Sequence, residues 1–487
     1  MKFGIIAAGE GARLANEGVQ VPKPLVPVGG ECLIDRLLRI FRDNGASEIV
    51  VICNDLLPYV DAHLCHVERD GLQDGSRVPL RHIVKTTPSS MHSFYELSGM
   101  LDGDEPFIVT TVDTFFDEET FARYVAAFAA SSADGMMAVT DYVDDEKPLW
   151  VGTDDYAING FYDSDAGQKC QYISAGIYGL RASALAILRR CIEEGQSRMR
   201  NFQRALVAGG LHLEAYPLGK VFDIDHASDI PTCVVGIYRH RQYSPGKSDA
   251  DAQIMDMVQE LMKEEKGNKV IRTVDEEELM EKGQLPAADI YISMARSPKV
   301  LAMLRDAQGK VVNDPMGVEA CNLRAWMMQS RCNTLPCWVK RADGCAEEKA
   351  DTVFCQTAEE RDRTIEAMKG RGIRQYVVQE HYEGDLIKFY GVSGTDFFHW
   401  SYPAETGQTK FGLEVNNSAL HRYAFSVEQF KTMADEIACR YNVPVYGGDA
   451  VIGPDGSIKI IDFNDWPSFS PCRDEAARAI AGIVLSL

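Results

Sequence analysis

Two groups of residues in this 487-residue chain have the types and spacing for phosphate chemistry. The first opens the sequence. "GIIAAGEGARLANEGVQVPKPLVPVGG" (4–30) sets Ala8, Gly9 and Gly11 after an apolar run, then Arg13, then Lys23 between Pro22 and Pro24. A glycine loop following a strand lets backbone N–H groups approach a phosphate. Arg13 and Lys23 add fixed positive charge, and the flanking prolines hold Lys23 at little entropic cost. Two later stretches, "IVTTVDTFF" and "FDIDHASDI", offer Asp113 and the pair Asp223 and Asp225. Carboxylates from separate strand ends can hold Mg²⁺ against a phosphate. A lone Asp is more often a turn or a helix cap. Asp113, however, follows a run of apolar and β-branched residues, as the end of a buried strand would.

The second group lies near the C-terminus, in "VYGGDAVIGPDGSIKIIDFNDWPSF". This reads as two strands joined by a "GPDG" turn, with Asp449 on the first and Asp462 and Asn464 on the second. Residues two apart on a strand face the same way, so Asp462 and Asn464 point into one site. Three oxygen ligands suit Mg²⁺ on the phosphates of ATP. A hairpin with a wet polar face is the plainer reading, and Trp466 and Phe469 immediately after the pair argue against it.

Positioning the first group takes a βαβ frame. Residues 2–8 and 48–53 (EIVVIC) read as buried strands; between them Leu33, Leu37, Leu38 and Phe41 fall at helical spacing, and Asn44 and Gly45 stop that helix. Strand, helix, strand implies a parallel sheet. Further strands are expected at FIVTTV, MMAVTD and SAGIYGL, a helix near 182–194, and a last helix running to about residue 240. The polar stretch 241–253 reads as a linker. Beyond it come a small αβ segment (about 254–320), short strands at WVK, YVVQ, LIKFYGV, VYGGDAVI and IKIIDF, and a helix capped by Ser426 and Gln429. The domains expected are therefore 1–240 and 254–487, with 254–320 as a subdomain of the second.

The formal charge is 50 minus 72, or −22, which argues against nucleic acid or an anionic membrane surface as partner. Thirteen cysteines are scattered and form no CxxC pair; "CNTLPC" (Cys332, Cys337) and "HLCH" (63–66) each lack a second ligand pair, so the thiols read as incidental and the compartment as reducing. The N-terminal apolar run is too short to span a membrane, and a cytoplasmic protein is expected.

Taken together, the glycine loop, the "PKPL" that follows, Asp113, Asp223 with Asp225, and "ISAGIYGL" around Gly176 resemble the sugar-1-phosphate and phosphoalcohol nucleotidyltransferase family over residues 1–240. The resemblance implies a Rossmann-like α/β fold, a mostly parallel sheet with helices on both faces. It also implies Ala8, Gly9 and Gly11 around the nucleotide, Arg13 and Lys23 as catalytic cations, and Mg²⁺ on Asp113 with Asp223 or Asp225. Ala12 stands where many relatives carry a hydroxyl. "SSMHSFYEL" (89–97) replaces the sugar enzymes' "GTA" with something closer to phosphocholine cytidylyltransferases, which tilts the nucleotide toward CTP.

Residues 311–487 resemble ATP-grasp enzymes, nearest the inositol polyphosphate kinases, in their carboxylate followed by D-x-N. On that resemblance Asp449, Asp462 and Asn464 hold metal, and Lys340 in "CWVKRADG" and Lys388 in "LIKFYGV" are the phosphate lysines. Gln379, Glu380 and Tyr382 line the adenine hinge and Glu383 lies near the ribose; the loop after Lys340, "RADGCAEEKAD", departs from the family in not being glycine-rich. Arg296 and Arg324 are candidates for the acceptor pocket. The expectation is a bifunctional enzyme using Mg²⁺, ATP and a second NTP: an α+β ATP-grasp kinase phosphorylates a small alcohol or sugar, and the first half then couples the product to the NTP. A carboxylate–amine ligase or a non-catalytic ATP-binding module are the alternatives for the second half. The oligomeric state, homo-oligomer included, stays open.

Overall fold

A computed structural model of the chain describes residues 1–487 except 144–146, 166–169, 245–247, 265–267, 325–333, 344–347 and 404–419. It divides into two units, Met1–Pro231 and Thr232–Leu487.

In the first unit, β1 (Lys2–Ala7) is apolar on both faces and buried along nearly its whole length, the pattern of a central parallel strand. It pairs in parallel with β2 (Glu48–Cys53), which pairs with β3 (Leu80–Val84), and on its other side with β4 (Phe107–Thr111). The sheet continues through β5 (Gly135–Thr140), β6 (Trp150–Asp154), β7 (Ala157–Tyr162), β8 (Tyr172–Leu180) and β9 (Leu213–Pro217). Its nine strands run in the order β3-β2-β1-β4-β8-β5-β9-β7-β6. The β8 strand is antiparallel to both β4 and β5, and β7 to both β6 and β9. Seven of the nine strands thus run the same way, as a mostly parallel sheet requires, and β7 and β8 run against them. The connection between β6 and β7 is only residues 155–156, a hairpin length that excludes a crossover.

Strand alternation splits the core between two helix layers. On one face Phe3 stacks on Phe41 at 4.5 Å and Phe41 on Phe121 at 5.7 Å, bringing in α1 (Leu33–Asp43) and the helix Glu118–Ala130. On the other, Ile6 and Val109 pack with Phe94 and Phe202, whose rings meet edge-on at 5.5 Å. Truncating Phe94 to Ala would cost about 3–5 kcal/mol. The α1 helix ends at Asn44 and Gly45, the latter at φ 75°, as its sequence predicts.

The second unit begins earlier than expected. Residues 232–238 (TCVVGIY) are a buried strand, β10 (Thr232–Tyr238), and not the helix expected up to 240. Its β-branched run has no helical period. It lies between β11 (Lys269–Asp275) and β12 (Ile290–Ser293) in a four-stranded parallel sheet completed by β13 (Lys310–Val312), in the order β11-β10-β12-β13. Of the stretch read as a linker, 245–247 lie outside the described residues. From Ser248 onward it is a helix, Ser248–Glu264, that buries Ile254, Met255 and Val258 against this sheet.

Two antiparallel sheets follow. One is β14 (Cys337–Arg341), β15 (Thr352–Cys355) and β16 (Tyr376–Glu380), in the order β15-β14-β16. The other is β17 (Asp385–Val392), β18 (Phe398–Ser401), β19 (Val445–Ile452) and β20 (Ile458–Asp465), in the order β18-β17-β19-β20. The helix Val427–Tyr441 packs Phe430 on this second sheet, and its Ser426 Oγ accepts a hydrogen bond from the Gln429 amide at 3.1 Å. Among the described residues no helix is long and apolar enough to cross a membrane.

Candidate active sites

In the first unit the carboxyl ends of the four parallel strands converge. The Ala8–Gly11 loop follows β1, Asn54 follows β2, Thr86 and Thr87 follow β3, and Thr111 to Asp113 close β4; all line one cavity of about 540 Å³. Such strand-end crevices are where ligands bind in open α/β sheets. Asn54 locks them together. Its Nδ2 donates to the Ala8 carbonyl at 3.0 Å, and its Oδ1 accepts from the Leu56 amide at 2.9 Å and the Thr86 hydroxyl at 2.6 Å. Asn54, Thr86 and Thr87 were missed by the sequence reading. The only signal for Asn54 was a polar residue immediately after the apolar run EIVVIC.

Gly11 sits at φ 64°, and a Cβ there would lie 2.9 Å from Lys23 Cβ, so this glycine is needed both for its backbone and for the approach of Lys23. A Cβ at Gly9 would meet nothing within 4 Å, leaving open space beside the loop. Gly176 on β8, at φ 73°, faces the Thr114 hydroxyl.

The charged residues named from the sequence meet here. Lys23 is nearly buried, and its Nζ lies between the carboxylates of Asp113 and Asp225, 2.7 Å from the latter. Arg13 Nη1 donates to the other Asp225 oxygen at 2.6 Å. Burial opposes the charge on Lys23, but the two carboxylates outweigh it and its pKa lies above the ordinary value. Desolvation likewise pushes Asp225 up; Lys23 and Arg13 more than offset this, and its carboxyl lies below the usual range. Asp223 stands apart. It pairs with Thr114 in a short antiparallel ribbon and accepts from the Thr114 hydroxyl at 3.0 Å. The residue keeps exposed surface, yet its carboxyl sits among crowded protein atoms: desolvation first and the Asp113 charge second push it well above the usual carboxylate range. Asp113, which lines the cavity, and Asp223, whose charge it repels, are a hard-oxygen donor set that fits Mg²⁺. Asp225 is already engaged by two cations.

Residues 4–208 match the family model described as the MobA-like NTP transferase domain. The first unit carries an NTP transferase domain. Three relatives align with parts of the chain. A 2-C-methyl-D-erythritol 4-phosphate cytidylyltransferase of Saccharopolyspora erythraea is 37% identical over 94 residues (17% of this chain, 41% of the relative). A CMP-5'-(3-aminopropyl)phosphonate synthase of Streptomyces rubellomurinus is 26% identical over 160 residues (29% and 24%). A glucose-1-phosphate cytidylyltransferase of Salmonella typhimurium is 32% identical over 53 residues (11% and 21%). The chain spans less than half the length of each of these relatives. Among solved structures, the inositol-1-phosphate CTP transferase from T. maritima aligns with 46% of this chain and 89% of its own at 18% identity and a TM-score of 0.39. A UDP-glucose pyrophosphorylase from Acinetobacter baumanii aligns with 46% and 88% at 17% identity and a TM-score of 0.38.

The unit that follows the NTP transferase domain gathers the second group. Lys388, Asp449 and Asp462 are register partners across β17, β19 and β20, so they form one row over three strands. Lys388 Nζ donates to Asp449 Oδ1 at 2.8 Å, and Asn464 Nδ2 to Asp462 Oδ2 at 3.3 Å. Asp449 lies beside a bulge, which re-aims the side chains of this row. The Asp449 charge raises the Lys388 pKa despite desolvation. Lys340, on β14, is buried and donates to the Ile461 carbonyl at 3.1 Å; burial first and Arg324 second bring its pKa down to about 8. Desolvation raises Asp462, but Arg324, Lys340 and Asn464 outweigh it and hold its carboxyl at about 2.

Gln379 is buried and its Nε2 points at the same Ile461 carbonyl, 3.5 Å away. Glu380 ends β16, Tyr382 lies under the Lys459 ammonium at 5.8 Å from the ring centre, and Glu383 is exposed. Of the two arginines expected at an acceptor pocket, Arg324 pairs directly with Asp462 and so belongs to this site. Arg296 is bound to the buried Asp465 at 2.7 Å, one residue beyond Asn464 and so on the opposite strand face. In the loop after Lys340, 344–347 lie outside the described residues, as does Cys332.

Proposed function

We propose that the NTP transferase domain moves a cytidylyl group from CTP onto a small phosphorylated alcohol or sugar, releasing pyrophosphate. The observation that carries this reading is the cluster of Lys23, Asp113, Asp223 and Asp225 beside the open Gly9–Gly11 loop at the strand ends. The choice of CTP is supported by the cytidylyl and CMP chemistry in the names of the aligned relatives and by the "SSMHSFYEL" segment, whose Ser89, Ser90 and Ser93 line the cavity.

The acceptor's phosphate oxygen attacks the α-phosphorus in line; a new P–O bond forms, and the bond to the β-phosphate oxygen breaks with departure of pyrophosphate. Asp113 and Asp223 would hold Mg²⁺, which would neutralise the crowded phosphate charge. The chain itself supplies position and fixed charge. Loop N–H groups from Gly9 to Gly11 cradle the triphosphate, Arg13 faces the departing pyrophosphate, and Lys23 faces the phosphates that meet. Asp225 fixes both cations in place.

For the second unit the reading is an ATP-grasp kinase that makes the phosphorylated acceptor. Support comes from its three-sheet organisation and from the Lys388–Asp449–Asp462 row with Lys340 and Asn464 beside it. Asp449, Asp462 and Asn464 would hold Mg²⁺ on the β- and γ-phosphates, with both lysines offsetting the remaining charge. The test supplies ATP, CTP and an unphosphorylated acceptor to wild type and to Asp462→Asn. Wild type makes the CMP conjugate; the variant makes it only from the phosphorylated acceptor. Equal conversion of the unphosphorylated acceptor by both overturns the kinase reading. Phosphate release that requires a carboxylate and an amine together identifies a ligase instead.

A further inference from the structure

The "HLCH" stretch, which as sequence lacks a second ligand pair, acquires its partners in the fold. The helix α2 (Pro58–Asp70) carries Asp61, Cys65 and Glu68 on one face, Cys65 four and Glu68 seven residues after Asp61, and this face meets His82 on the edge strand β3. His82 Nε2 lies 2.9 Å from Asp61 Oδ1 and 3.9 Å from Cys65 Sγ, and Cys65 Sγ lies 3.7 Å from the same Asp61 oxygen. Three ligands on a tetrahedral zinc ion stand about 3.3–3.6 Å from one another, given bond lengths of about 2.0 to 2.3 Å. The observed triangle differs by no more than about half an ångström per edge. The remaining imidazole nitrogen, Nδ1, lies 2.8 Å from Glu68 Oε1. That is the carboxylate–histidine arrangement that fixes the tautomer and orientation of a metal-bound histidine.

We propose that Asp61, Cys65 and His82 form a transition-metal site for Zn²⁺, with Glu68 as the positioning residue behind His82 and water in the fourth place. His82 is nearly buried at 9% exposure while Cys65 is exposed, so the open coordination position faces solvent. Soft thiolate with imidazole selects zinc over Mg²⁺, which keeps this site chemically separate from the carboxylate pair in the cavity. A second thiol cluster, Cys32 with Asp35 and His63, is weaker: no carboxylate backs the second His63 nitrogen among the described contacts. Bound zinc ties α2 to β3, the strand whose end delivers Thr86 and Thr87 to the nucleotide cavity.

The test uses full-length protein stripped with a chelator and titrated with Co²⁺ alone, then Zn²⁺ alone. One equivalent of Co²⁺ should give a thiolate-to-cobalt charge-transfer band with tetrahedral ligand-field bands, displaced by one equivalent of Zn²⁺, and Zn²⁺ should raise the melting temperature. Cys32→Ser should keep these signals. Cys65→Ser, an exposed change checked by circular dichroism, should abolish the thiolate band and weaken Zn²⁺ binding by about a hundredfold or more. Glu68→Gln should keep the band but weaken binding by about tenfold to a hundredfold. Absence of a thiolate band at one equivalent, or a band that survives Cys65→Ser, overturns the site.

Discussion

The Lys23 ammonium lies 2.7 Å from Asp225, 202 residues away in sequence, and contacts Asp113 on its other side. One buried cation thus ties the glycine-loop region to both acidic segments of the first unit. Lys23→Met removes that tie and leaves two carboxylates facing each other. Nucleotidyl transfer should fall by about a hundredfold or more, and the melting temperature should drop as well. An unchanged rate in a pyrophosphate-release assay would remove Lys23 from the chemistry.

Asp223 and Asp225 should separate cleanly. Asp223→Asn relieves the repulsion with Asp113 but removes a metal oxygen; it should raise the Mg²⁺ concentration needed for half-maximal rate and lower kcat by about a hundredfold. Asp225→Asn frees Arg13 and Lys23, and should act mainly on CTP binding. Titrating Mg²⁺ at saturating CTP for both variants decides the matter; a Mg²⁺ shift in Asp225→Asn alone would exchange the two roles.

In the second unit, the pKa of Lys340 is brought down to about 8 from 10.5. On the role proposed for Lys340 the charged form is the one that holds phosphate, so ATP affinity should be full below about pH 8 and fall as pH rises through it. The effect on stability has the opposite sense. The lowered pKa costs stability below about pH 8, and the cost fades between pH 8 and 10.5 as the folded chain sheds the proton first. ATP titrations across pH for wild type and Lys340→Met test this, since the variant should bind more weakly and show a flatter profile. Parallel slopes would contradict the role given to Lys340.

The domain boundary makes a physical prediction too. A chain ending at Pro231 should be soluble and retain pyrophosphate release. One ending at 245 carries β10 without the strands that flank it, and an orphan buried strand promotes aggregation. Light scattering of the two chains at equal concentration tests it; equal solubility would argue that 232–238 can dock elsewhere.

Much of the first site was legible because its residues act through local sequence. Gly11 needs a left-handed backbone, Lys23 is fenced by prolines, and Asp113 terminates a β-branched run. The order in which strands pair was not. β8 enters between β4 and β5, and TCVVGIY belongs to the second unit, because both depend on partners more than 30 residues away that leave no local trace. The difference between Asp223 and Asp225 was likewise invisible: two residues apart in one stretch, they are distinguished by Thr114 and the Asp113 charge on one and by Lys23 and Arg13 on the other. Asp61, Cys65 and His82 illustrate the same limit, since the third ligand comes from a neighbouring strand.

The measurement closest to the central claim is product mass after incubating wild type and Asp113→Asn with Mg²⁺, each NTP in turn and a panel of phosphorylated alcohols and sugars. The account predicts a CMP conjugate and stoichiometric pyrophosphate from wild type with CTP, and a rate lower by about a hundredfold or more in Asp113→Asn. Wild type that releases no pyrophosphate with any NTP, or an Asp113→Asn variant as fast as wild type, would contradict it.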